Sequence, residues 1–71
     1  MPQGVRNERE NPRVRFGRRV RELREAAGIS QLDVAARAGV TGGYVSGIEH
    51  GQRNPTLDVV FAIASALRVP P

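Results

Sequence analysis

Residues 30–51 read S-Q-L-D-V-A-A-R-A-G-V-T-G-G-Y-V-S-G-I-E-H-G. Ser30 is a favoured N-cap, and Asp33 follows three residues later, near the unpaired N–H groups of a first helical turn. Leu32, Val34, Ala35, Ala36 and Ala38 then make a short apolar helix over about 31–38, which Gly39 stops. Thr41 is a second cap. Val45 and Ile48, at i and i+3, give the inward side of another helix over about 42–50, which Gly51 ends. Gly42, Gly43 and Gly47 lie inside it, each costing about 0.5–1 kcal/mol relative to alanine, so tertiary packing must hold this helix.

Outward from this stretch the same signals recur. Toward the N-terminus, Asn11-Pro12 starts a helix over about 13–27. Phe16, Val20, Leu23 and Ala27 share one face of it, and Gly28 follows as its stop. Toward the C-terminus, residues 52–55 form a loop and Thr56 caps a helix over about 57–67. Its expected buried stripe is Leu57, Val60, Phe61, Ala64 and Leu67. The expected core is Phe16, Val20, Leu23, Leu32, Val45, Ile48, Leu57, Phe61, Ile63 and Leu67. No alternation is long enough for a strand. Residues 1–11 are expected to be a flexible basic arm, 12–69 the folded domain and 70–71 a tail. Two short helices joined by a glycine-containing turn of three to four residues have the helix-turn-helix outline, although any helical domain has such corners.

Composition narrows the function. The chain has 71 residues, 39% hydrophobic and 25% charged, which suits one small globular domain. With no cysteine and one histidine, His50, no metal site or cofactor is expected. No apolar run is long enough to span a membrane, and Met1–Glu10 lacks the apolar stretch of a signal peptide, so a cytoplasmic protein is expected. No nucleophile–base pair or carboxylate dyad stands out, and an enzyme is not expected. The net charge is +4, and all eleven basic residues are arginine. Residues 1–25 hold eight arginines against four glutamates, while the rest of the chain is neutral. A polyanion suits that field; a solvated arm that aids solubility is the plain alternative.

Residues 16–69 resemble the phage-repressor- and Cro-like, xenobiotic-response-element type of helix-turn-helix regulator. The matching stretches are F-G-R-R-V-R-E-L-R, G-I-S-Q-L-D-V-A, A-G-V-T, Y-V-S-G-I-E-H-G-Q-R-N-P-T-L and I-A-S-A-L-R-V-P, in the family's order and spacing. The fourth stretch also resembles the controller proteins of restriction–modification systems, a subgroup of that family. The resemblance implies an all-α fold: a compact lambda-repressor-like helix-turn-helix domain of four to five short helices. It implies a transcriptional regulator that inserts helix 42–50 in the major groove of double-stranded DNA, as a homodimer on two half-sites. Family members often continue into a fifth helix that makes the dimer interface. In a chain ending at Pro71, either helix 57–67 and its flanks serve, or a C-terminal part is missing, or the protein is a monomer.

The resemblance also assigns roles. Gln31 matches a phosphate- and groove-edge-contacting glutamine, and Arg53 and Asn54 match loop residues that approach the DNA backbone. Arg24 and Glu49 match a structural pair between the first and third helices. In the family, positions 42, 43 and 47 commonly carry polar side chains that read base edges, and here all three are glycine. With Val45 and Ile48 inward, about 100° per residue turns Gly43, Ser46, Gly47 and His50 outward, with Gly42 and Tyr44 flanking. Either the backbone approaches DNA closely and reading falls to Thr41, Tyr44, Ser46, His50, the arginines and DNA shape, or discrimination is poor. Arg6 and Arg9 on the arm, and Arg18 and Arg19 on the first helix, are candidate phosphate contacts. The rival reading is a protein-interaction module on the same fold, such as an antitoxin or adaptor.

Overall fold

The computed structural model describes residues 11–68. Four helices follow one another: α1 (Pro12–Ala27), α2 (Gln31–Ala38), α3 (Gly42–Glu49) and α4 (Leu57–Leu67). There is no strand among the described residues.

Local chemistry sets each helix end. The Asn11 side chain accepts from the Arg13 N–H at 2.8 Å, and Pro12 takes the first helical position, one residue before the expected start. Ser30 and Asp33 form a reciprocal capping box: Ser30 Oγ accepts from the Asp33 N–H at 3.0 Å, and the Asp33 carboxylate accepts from the Ser30 N–H at 3.3 Å. Thr41 and Thr56 cap α3 and α4 through the N–H groups of Tyr44 and Val59. Gly39 holds φ 74°, the left-handed conformation that lets the chain leave α2 and enter α3 within three residues. α3 stops at Glu49, one residue short of the expected end, with His50 as its C-cap.

α2 packs against α3 and α4, and α1 packs against α3 and more lightly against α4. The buried core is Val20, Val34, Ala35, Val45, Ile48, Ile63, Ala66 and Leu67, with Phe16, Leu23, Ile29, Ala38, Val40, Tyr44 and Val59 packed around it. Between α1 and α3 the contact is backbone on side chain-free backbone. A Cβ on Gly17 would run into the Ile48 carbonyl oxygen and stand 3.0 Å from the Glu49 carbonyl atoms.

Three expected core residues lie outside. Leu32 is 71% exposed, Leu57 74% and Phe61 56%. The α4 sequence is apolar on two sides, and both sets of positions fit a helical period. The buried side is Ile63, Ala64, Ala66 and Leu67, rotated away from Leu57 and Phe61. In α2, which has only eight residues, Val34 and Ala35 are the buried positions and Leu32 faces out.

Candidate nucleic-acid interface

One polar network fastens the α2–α3 corner to α1. Glu49 accepts from Arg24 Nε at 2.6 Å and Arg24 Nη2 at 3.1 Å, a two-pronged pair. The third guanidinium nitrogen, Arg24 Nη1, donates to the Ile29 carbonyl at 3.0 Å, in the link between α1 and α2. Gln31 Nε2 donates to Glu49 Oε1 at 3.0 Å. The Glu49 side chain is only 2% exposed and that of Arg24 14%. Burial opposes ionisation of Glu49, but the hydrogen bonds from Arg24 and Gln31 outweigh it and hold the carboxyl below its ordinary pKa. The hydrogen bond to Glu49, working against burial, raises the pKa of Arg24.

The network fixes the orientation of Gln31. A carboxylate only accepts, so the amide end facing Glu49 is the NH2. That leaves the second Nε2 hydrogen and the Oε1 oxygen of Gln31, which is half-buried at the first position of α2.

The outward side of α3 differs from the bare stripe that helical geometry suggests. Gly43 is exposed, and nothing lies within 4 Å of where its Cβ would stand. Gly47 is buried instead. The Arg53 side chain lies across it, with Cγ 2.8 Å and Nε 3.3 Å from a Cβ position there. The Arg53 guanidinium carbon then sits 5.6 Å from the centre of the Tyr44 ring, within cation–π range. Gly42 is half-buried, and a Cβ on it would stand 2.7 Å from Leu32 Cδ2. So two of the three glycines are covered by side chains from neighbouring segments, which sequence periodicity within α3 does not reveal.

Thr41 is exposed, with its hydroxyl oxygen engaged as the α3 cap. Ser46 is half-buried, and its carbonyl accepts from Nδ1 of the exposed His50 at 2.8 Å. Asn54 is exposed in the loop and lines a shallow depression with Pro12, Phe16 and Pro55. On α1, Arg18 and Arg19 are exposed, and Arg19 Nη1 lies 3.4 Å from Glu22 in a solvent-facing pair worth little. Arg6 and Arg9 lie outside the described residues. Among the described residues no cluster of His, Asp or Glu could hold a metal ion, and no helix is long and apolar enough to cross a membrane.

Sequence reasoning missed Gly17 and misplaced Leu32. A glycine inside α1, where it costs helix stability, was the available signal that another backbone comes close.

Comparison with known proteins places this geometry. Residues 20–71 match the helix-turn-helix family model. An uncharacterized HTH-type transcriptional regulator of Mycobacterium tuberculosis is 46% identical over 50 residues, 70% of this chain, although the chain spans only 36% of that protein's length. The control protein C.BamHI of Bacillus amyloliquefaciens is 39% identical over 62 residues, covering 86% of this chain and 76% of that protein. The crystal structure of the restriction–modification controller protein C.AhdI from Aeromonas hydrophila superposes with a TM-score of 0.80 at 45% identity, covering 82% of this chain and 88% of that one.

Proposed function

Since the chain belongs to the helix-turn-helix family, we propose that it is a sequence-specific double-stranded DNA-binding transcriptional regulator that inserts α3 in the major groove. The observation that carries this reading is the α2–α3 corner. It is locked to α1 by Glu49, while Thr41, Gly43 and His50 stay exposed along α3 and Gln31 sits at its side. The likeness to two controller proteins supports a regulator of the controller kind.

In this reading residues 12–69 are the DNA-binding unit, and Thr41, Gly42, Gly43, Tyr44, Ser46, Gly47 and His50 form the face toward the groove. Gln31, Arg53 and Asn54 position the protein on phosphates through contacts that carry no sequence information themselves. Arg18 and Arg19, with Arg6 and Arg9 of the sequence that precedes α1, add phosphate contacts. Arg24 and Glu49 act structurally. The protein works without catalysis, in the cytoplasm on chromosomal DNA.

A second copy of the chain completes the site. Leu57 and Phe61, one turn apart on α4, are 74% and 56% exposed and are the apolar pair a partner would cover. Two copies would then present two α3 helices to half-sites about one helical turn apart.

The reading is tested by duplex binding at varied salt. The logarithm of the affinity should fall linearly with the logarithm of salt concentration, because arginine–phosphate contacts release counterions. Binding to a toxin-like protein with no affinity for any duplex would instead favour the interaction module.

A further inference from the structure

Leu32 and Gly42 are fitted to one another. Leu32 is the second residue of α2, and Gly42 is the first of α3. Leu32 Cδ2 lies 2.7 Å, and Cγ 3.7 Å, from where a Cβ on Gly42 would stand. A side chain at position 42 would therefore start inside space that Leu32 already fills. Yet Leu32 remains 71% exposed, so the contact with Gly42 does not bury it. The first turn of α3 thus presents an isobutyl group lent by α2 where it has no side chain of its own. Gln31 is the neighbour of Leu32, and its link to Glu49 fixes the start of α2 relative to the end of α3.

We propose that Leu32 is a base-reading residue that packs against the C5-methyl group of a thymine in the major groove. The inference rests on the DNA-binding reading above and names one chemical feature which that site would recognise. Of the groups displayed along the major-groove edge of the bases, the thymine methyl is the apolar one, and apolar side chains contact it. A branched apolar side chain offers no hydrogen bond to phosphate or to a base amide. Its gain comes from removing apolar surface from water, and one methyl is worth about fourfold in affinity.

The experiment uses the full chain and a duplex that it enriches from a random-sequence pool. Each thymine of that duplex is replaced in turn by deoxyuridine, which pairs identically with adenine and lacks only the methyl. The wild-type protein should lose about fourfold in affinity at one thymine per half-site. Leu32→Ala should bind the thymine and uracil forms of that position equally, while Leu32→Met should keep the preference. Because Leu32 is exposed, the thermal midpoint of Leu32→Ala should match wild type. Wild-type affinity indifferent to uracil at every position would overturn the proposal, as would an unchanged thymine preference in Leu32→Ala. Failure of the wild type to retain any duplex would remove the DNA reading and the role of Leu32 with it, an outcome distinct from methyl-blind binding.

Discussion

Glu49 is gripped by Arg24 through two nitrogens, at 2.6 and 3.1 Å, while its side chain is almost wholly withdrawn from solvent. The pair joins the last turn of α1 to the last residue of α3. The orientation of the helix proposed to enter DNA is thereby set by α1, a separate element.

Removing one partner should be far worse than removing both. Glu49→Ala leaves the Arg24 guanidinium without its carboxylate and should cost about 3–5 kcal/mol in urea unfolding. Replacing both with methionine should cost much less, since an apolar pair of similar volume leaves no stranded charge. Equal losses in the single and double variants would contradict the role given to the pair.

Acid should loosen the same joint. The folded state holds the Glu49 carboxyl below its ordinary value of 4.5, so at mildly acid pH the unfolded chain binds more protons than the folded one. The stabilisation is fully present above that ordinary value and is lost as the pH falls through the lowered folded-state value. Thermal midpoints followed from pH 6 downward should decline in that window, and the decline should shrink in the double methionine variant.

Gly17→Ala should destabilise by about 3 kcal/mol, at the upper end for overpacking, because the new methyl meets the Ile48 and Glu49 backbone and no flexible side chain can yield. Gly43→Ala serves as the control: its Cβ enters open space, and alanine favours a helix, so stability should rise slightly.

Helix boundaries were legible in the sequence because single residues mark them: Asn11, Ser30, Thr41 and Thr56 cap, and Gly28 and Gly39 close in the left-handed conformation. The inward face of α4 was legible in part: Ile63, Ala64 and Leu67 are buried as expected, while Leu57 and Phe61 face out. Its apolar residues satisfy the helical period on two sides, and the choice falls to what α1 and α2 leave uncovered. In the candidate site the Arg24–Glu49 pairing was legible, and the packing around the α3 glycines was not. Arg24 and Glu49 stand 25 positions apart and meet as the family resemblance implies. That Arg53 would roof Gly47, or Leu32 cover Gly42, depends on loop and inter-helix geometry that no spacing within α3 encodes.

Arg53 should act on DNA without choosing its sequence. Arg53→Ala should weaken binding to all duplexes alike and lower the salt slope by about one, the signature of a lost phosphate contact. Gln31→Ala should also weaken all duplexes alike. Gly47→Ala should imitate Arg53→Ala, because the added methyl displaces the arginine stem from its seat. A change in preference at one base pair in any of the three would assign that residue to base reading instead.

Phe61→Glu tests the partner surface. Placing a charge on the exposed apolar pair of α4 should shift the protein to monomer in sedimentation. Binding to a two-half-site duplex should fall toward that of a single half-site, and unfolding free energy should change by less than about 0.5 kcal/mol.

Sequence-specific binding of duplex DNA is the claim on which the rest depends. The direct measurement compares the duplex enriched by the protein with a scrambled duplex of equal composition, by titration at one fixed physiological salt concentration. The enriched duplex should bind about a thousandfold more tightly, within the range of specific regulators. Equal affinity for the two duplexes would contradict the account.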